Sequence, residues 1–78
     1  MSIFEVIKKH IVRITHTDGE AIQPDTALKS LKADSLHWVQ IIIATENDLD
    51  IAIDIDKERM QSLTTIADLV RYIEGFRK

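Results

Sequence analysis

Three stretches of this chain repeat apolar residues at the spacing of an α-helix. Ile3, Ile7, Ile11 and Ile14, with Phe4 beside them, form the first. Trp38, Ile41, Ile42, Thr45 and Leu49 form the second, and Ile66, Leu69, Val70 and Ile73 the third. At about 100° per residue, each set becomes a stripe along one helical face. With 78 residues in all, these stripes have little to bury against except one another. The pattern therefore predicts a small all-α bundle forming a single domain over residues 1–78. A core of that size sustains a stability of only a few kcal/mol.

Local signals place the boundaries. Ser2 is an expected N-cap for a first helix ending near Thr15, with Glu5, Lys8, Lys9 and Arg13 off the apolar stripe. Thr17, Asp18 and Gly19 should stop it. From Thr15 to Asp34 there is little periodicity. Pro24 punctuates this stretch, and Ile22, Leu28 and Leu31 are its apolar anchors, with a short helical turn expected between Thr26 and Leu31. A connection of about 20 residues is long for so small a domain, and long connections are often functional.

The second helix is expected from Ser35, acting as its cap, to about Leu49. Ile51 to Asp56 alternates like a strand, but a lone short strand lacks a partner. It is read as an extended link with Ile51, Ile53 and Ile55 turned inward. A short helix from Asp56 to Gln61, capped by Asp56, should follow. The last helix should start near Thr64 and Thr65, with Thr65 and Asp68 as a weak capping box, and end at a Gly75 cap. Phe76, Arg77 and Lys78 are expected to fray. The expected fold is thus a four-helix bundle with three main helices, one short helix and a long loop after the first.

The second helix carries a second stripe: Leu36, Val39 and Ile43, continued by Glu46. A small bundle does not easily bury both stripes of one helix. Either one is left partly exposed for a partner, or the helix is central and buries more of its circumference.

Composition removes several function classes. The net charge of −3 does not supply the basic face that nucleic-acid binding needs, so no nucleic-acid partner is expected. With no cysteine there can be no disulfide, thiolate metal site or cysteine nucleophile, which fits a reducing, cytoplasmic setting. The residues from Met1 to Glu5 turn amphipathic at once, unlike a signal peptide. The run from Ile41 to Ala44 is too short to cross a bilayer, so the chain is not expected to be membrane-embedded.

His10, His16 and His37 do not form a metal pair on one helical face, and each is read as a surface or boundary histidine. The acidic string Asp48, Asp50, Asp54 and Asp56 lacks the glycine and the final glutamate of a calcium loop; Arg59 stands where that glutamate belongs. It is read as solvated charge, and no metal site is expected. Two glycines do not make a phosphate-binding loop. Ser35 and His37, two apart, do not face each other on a helix. The chain is not expected to be an enzyme.

Ser35 remains, between Asp34 and Leu36, at the junction of the long connection and the long apolar run. Taken alone, a serine there is a helix start signal. Its surroundings are more specific. Asp25, Leu28 and Leu31 precede Asp34-Ser35-Leu36, the helix it opens runs into Glu46-Asn47-Asp48-Leu49-Asp50-Ile51-Ala52-Ile53, and Leu63-Thr64-Thr65-Ile66-Ala67-Asp68-Leu69 opens the last helix. In that order and spacing, across nearly the whole chain, the sequence resembles the acyl carrier proteins.

The resemblance implies that Ser35 takes a 4′-phosphopantetheine arm from coenzyme A through a phosphopantetheinyl transferase, with Asp34 and Leu36 helping the transferase recognise the site. Acyl groups would ride on the arm's thiol, which suits a chain without cysteine. A phosphodiester is also favoured physically at a helix N-terminus. The resemblance further implies a partner-facing surface of Leu36, His37, Val39, Gln40, Ile43 and Glu46. It would meet acyl-loading, ketosynthase-type or acyltransferase enzymes, with the chain acting as a monomer. Trp38, Ile42, Thr45, Leu49, Ile53, Leu63 and Ile66 would line an acyl cavity.

The chain departs from the family pattern in places. Lys32 stands where glycine is usual, His37 and Gln40 where acids are expected, Asn47 where another acid is expected, and Trp38 where a smaller residue is usual. The segment from Asp54 to Ser62 is slightly long. Weakened acidity points to a dedicated carrier for a specialised lipid or secondary metabolite, and His37 is expected to make docking pH-dependent. Two other readings stay open: an unmodified carrier-like adaptor acting through the exposed stripe, and a carrier of aminoacyl or polyketide units.

Overall fold

The computed structural model describes residues 2–31, 33–54 and 56–76, with backbone alone at residues 35 and 57. The described residues form four α-helices: α1 (Ile3–Thr15), α2 (Ser35–Leu49), α3 (Lys57–Ser62) and α4 (Ile66–Glu74). No strand is formed among them. The all-α bundle with a short third helix and a long connection after the first is as the sequence predicts.

The helix starts follow from side chains that satisfy first-turn amides. The Ser2 hydroxyl accepts from the Glu5 N–H at 3.2 Å. Asp56 Oδ1 accepts from Glu58 N–H and Arg59 N–H. Thr65 and Asp68 form a reciprocal capping box, with the Asp68 carboxylate accepting from both Thr64 N–H and Thr65 N–H. These amides, with Arg71 beside them, hold the Asp68 carboxyl below the usual carboxylate range.

One helix start differs from expectation. Asp34, not Ser35, caps α2, and Ser35 is the first helical residue. An aspartate directly before the serine offers a carboxylate oxygen to the third helical amide, so the cap moves back by one position.

α1 packs against both α2 and α4. Val6, Ile7, Ile11, Ile41, Ile42, Ile66, Leu69 and Ile73 are all essentially sequestered from solvent. Each such side chain contributes about 1.5–3 kcal/mol of transfer free energy. Among the described side chains of α3, the partly buried Met60 packs against this core.

The connection is pinned as its leucines predict: Leu28 and Leu31 are buried, and a 3₁₀ turn spans Leu28–Ser30. An isolated antiparallel bridge between Ala27 and Thr65 was not foreseen. Leu28 N–H donates to Thr64 C=O at 2.9 Å, Ile66 N–H to Thr26 C=O at 3.0 Å, and Ala67 N–H to Pro24 C=O at 2.8 Å. The middle of the connection is thereby strapped to the start of α4.

Three further expectations, for His10, Asp48 and Phe76, are corrected, and the Gly75 cap is found. His10 is not at the surface: it is buried, with Nε2 2.7 Å from Asp48 Oδ2. Asp48 is not freely solvated, because Lys9 Nζ also reaches its Oδ2 at 2.8 Å. Hydrogen bonds from Lys9 and then His10 hold the Asp48 carboxyl below its ordinary range. The buried imidazole needs such a partner to offset its lost hydration. Phe76 does not fray; it packs edge-to-face on Tyr72 with ring centroids 5.2 Å apart. Gly75 does cap α4, but in right-handed conformation (φ −63°), so no left-handed turn is involved.

The link holds Ile53 buried, and its N–H donates to Glu46 Oε2 at 2.8 Å. The expected inward turn of Ile55, the departure at Lys32 and the expected fraying of Arg77 and Lys78 lie outside the described residues.

Candidate functional site

The two stripes of α2 are buried to different extents. Ile41, Ile42 and Thr45 are buried, and Trp38 and Leu49 pack partly against the core. On the other side, Leu36 is 63% exposed and Ile43 48% exposed. α1 packs on the buried stripe of α2, which leaves Leu36 and Ile43 uncovered on the other side.

At the start of α2, Asp34 Oδ1 accepts from His37 N–H at 2.9 Å. His37 returns the contact, its Nδ1 accepting from Asp34 N–H at 3.3 Å. This box was not read from the sequence, because the expected third residue is Glu or Gln, not His. The signal was present in the spacing of Asp34 and His37. The His37 amide, foremost, lowers the Asp34 carboxyl pKa, so the group stays ionised at the helix's positive end. The backbone of Ser35 therefore sits in the first turn of a long, firmly capped helix, with exposed side chains at Asp34 and Leu36 on either side.

A cleft of about 850 Å³ opens beside this turn. Leu28, Leu31 and Ala33 of the connection form one wall, and Trp38, Val39 and Ile42 of α2 another. Met60 and Leu63, in and just after α3, close the third side, with Lys29 and Gln61 as polar groups in the lining. A mostly apolar concavity of this size suits a small ligand or a lipid-like chain.

Of the residues expected to line a cavity, the structure brings Trp38, Ile42 and Leu63 together on this cleft. Thr45, Leu49, Ile53 and Ile66 are elsewhere. Thr45 and Ile66 are fully enclosed, and the Thr45 hydroxyl donates to the Ile41 carbonyl at 2.8 Å. Ile53 is in the core and Leu49 packs against it. Leu28, Leu31, Ala33 and Met60 were missed. Leu28 and Leu31 read as anchors in the sequence, and an anchor and a cleft wall look alike there.

Of the residues expected on a partner surface, Leu36, Gln40 and Ile43 are exposed, while His37, Val39 and Glu46 are half-buried. Val39 faces the cleft, and the Glu46 carboxylate is already engaged by Ile53 N–H. Among the described residues, no helix is long and apolar enough to cross a membrane.

Residues 5–73 match the family described as "Phosphopantetheine attachment site". The chain is 35% identical over 74 residues to an acyl carrier protein of Streptococcus thermophilus, covering 95% of each chain. It is 34% identical over 75 residues to one from Lactococcus lactis, covering 96% of this chain and 97% of that one. A third, from Campylobacter lari, is 35% identical over 80 aligned positions that span both chains completely.

Proposed function

The chain belongs to the acyl carrier proteins, and from that premise we propose that Ser35 is the residue that carries its 4′-phosphopantetheine. The family is one of carriers, not enzymes, and its members work with phosphopantetheinyl transferases and acyl-handling enzymes. One observation carries the assignment to Ser35. Its backbone lies in the first turn of α2, between exposed Asp34 and Leu36, two positions after Ala33 and three before Trp38, both of which line the apolar cleft.

The described residues suit the group. The capped helix start supplies oriented amides and a positive dipole end for a phosphodiester. In the loading step, the Ser35 oxygen loses its proton and gains a bond to phosphorus, and the nucleotide portion of coenzyme A leaves. Once attached, the arm supplies a terminal thiol that holds acyl groups as thioesters. Asp34 stays ionised beside the reacting hydroxyl, and Leu36 gives the transferase an apolar contact. Trp38, Ile42 and Leu63, joined by Leu28, Leu31 and Met60, shelter the acyl chain from water. A mostly apolar lining favours hydrocarbon cargo over aminoacyl cargo.

The carrier serves a dedicated lipid or secondary-metabolite pathway, as a cytoplasmic monomer. The supporting feature is the α2 surface, where His37, Gln40 and Asn47 occupy positions that are usually acidic. The exposed Leu36 and Ile43 also support a second reading, an unmodified adaptor acting through this stripe.

Intact mass spectrometry after co-expression with a broad-specificity phosphopantetheinyl transferase separates the two. The carrier reading expects one phosphopantetheine adduct on wild type and none on Ser35→Ala. Wild type without an adduct across several transferases would leave the adaptor.

A further inference from the structure

The cleft between the connection, α2 and α3 is apolar along most of its lining, and its few polar groups are informative. Among the described residues that line it, Lys29 is the one charged side chain and Gln61 the one uncharged polar side chain. No carboxylate joins them in that lining. A passenger in this cleft therefore meets hydrocarbon walls, one cation and one amide.

The backbone that carries Lys29 is held firmly. Lys29 is the middle residue of the 3₁₀ turn Leu28–Ser30, in which Leu28 is buried and Lys29 is exposed. Leu28 N–H donates to Thr64 C=O at 2.9 Å. Ser30 N–H donates to Ala27 C=O at 3.0 Å, and Leu31 N–H to Leu28 C=O at 3.2 Å. Gln61 is exposed on the wall formed by α3.

Several other cations of the chain are engaged within it. Lys9 Nζ reaches Asp48 at 2.8 Å, Arg71 pairs with Asp68, and the Arg59 guanidinium lies 5.8 Å from the centre of the Tyr72 ring. Among the described residues, Lys29 has no carboxylate within ion-pair distance. A lysine stem lies well along an apolar rim while its ammonium stays in water. The ammonium at this rim is thus available to an anion that the cargo brings.

We propose that the cargo of this carrier is an acyl chain with a second carboxylate at its far end, its methylenes against the apolar walls and that carboxylate paired with Lys29. The inference rests on the carrier reading above and names its cargo class. A plain alkyl chain uses the walls alone. An aminoacyl group brings an ammonium, which Lys29 repels. The phosphodiester of the arm is also an anion, but it is fixed at Ser35, where the first-turn amides of α2 serve it. An ion pair at an open rim keeps part of its hydration, which limits the cost of desolvation.

The test loads the full apo chain with a broad-specificity phosphopantetheinyl transferase, from hexanoyl-coenzyme A or from adipoyl-coenzyme A labelled with ¹³C at its free carboxyl. The two passengers match in carbon count and differ in the end group. Titrated by NMR, the labelled carboxylate on the carrier should have an acid constant about threefold higher than on free adipoyl-pantetheine, because a nearby cation favours the ionised form. Lys29→Gln should abolish that difference and Lys29→Arg should keep it. Thermal melts of both apo variants should overlay wild type, since Lys29 is exposed. Adipoyl loading should raise the melting temperature of wild type more than hexanoyl loading does, and the order should reverse in Lys29→Glu. A carboxylate that titrates as it does on free pantetheine overturns the inference, as does a difference that survives Lys29→Gln. A Lys29→Gln change that moves the ³¹P signal of the phosphodiester and leaves the carboxylate unmoved also overturns it, by giving Lys29 to the arm. Absence of any adduct from either coenzyme A derivative sinks the carrier reading itself, and the inference with it. An adduct with an unperturbed carboxylate sinks the inference alone.

Discussion

The two sides of α2 face different worlds. Toward α1, it meets isoleucines that are wholly enclosed, and His10 of α1 is tied to Asp48 near its far end. Toward the connection and α3, it meets a cleft of about 850 Å³ whose third wall is a six-residue helix with one partly buried methionine. One side is built to stay closed, and the other holds together mainly by caps and single hydrogen bonds. On the carrier reading proposed above, stability and cargo space fall to different parts of a very small molecule. A chain entering the cleft displaces little that the fold depends on.

That division can be challenged by mutation. Ile7→Ala, in the closed side, should cost about 2–5 kcal/mol, enough to unfold much of the population in so small a domain. Ile7→Val, at about 0.5–1.5 kcal/mol, keeps the effect measurable by urea denaturation. Thr65→Ala removes the cap of α4 and should cost about 1 kcal/mol. Met60→Ala, on the open side, should cost about 1 kcal/mol or less, because the site is already part solvent. If Met60→Ala proved as damaging as Ile7→Ala, the cleft would be a second core and not a pocket.

Acid probes the boundary between the sides. Asp34, Asp48 and Asp68 all have their pKa lowered from 3.8 in the folded chain. Each binds its proton less readily folded than unfolded. Their contribution to stability is therefore full above 3.8 and is lost as pH falls through the lower folded values. Asp48→Asn should flatten part of that acid limb, measured as urea midpoints from about pH 5 to pH 2. An unchanged limb would show that the Lys9–Asp48–His10 contact does not hold α1 to α2. The smallest expected signal is optical. Loading a long acyl chain should shift the emission of Trp38, the sole tryptophan, and an unchanged spectrum would remove Trp38 from the cleft wall.

The sequence made the helices legible because their stripes are long and their caps local. Ile3 to Ile14 and Ile66 to Ile73 announce both period and partner face, and Asp56 and Thr65 mark starts that need only neighbouring residues. The family and its cofactor followed from the order of short motifs around Ser35. Contacts between distant segments were harder to see. Nothing in His10 or Asp48 alone reveals that residues so far apart in sequence meet. The bridge of Ala27 to Thr65 uses backbone groups and so leaves no trace in side-chain chemistry. The cleft wall was half seen, since Leu28 and Leu31 are apolar enough for either core or pocket, and only the position of α3 decides between them.

The strap between Ala27 and Thr65 bears on the order of events in the cell. Chains are made from the amino end, and the half of the strap that grips the connection belongs to α4, which is made after it. Until Thr64, Ile66 and Ala67 arrive, Leu28 N–H and the carbonyls of Pro24 and Thr26 have no partners there. The stretch leading to Ser35 is then a loose tether, not a positioned approach. We expect loading to wait for α4, so that only a chain in which this helix has been made is marked for service. Stalled nascent chains ending before Thr64 should take up no arm when offered transferase and coenzyme A, while those extending through α4 should. Equal uptake by both would show that the first turn of α2 is enough by itself.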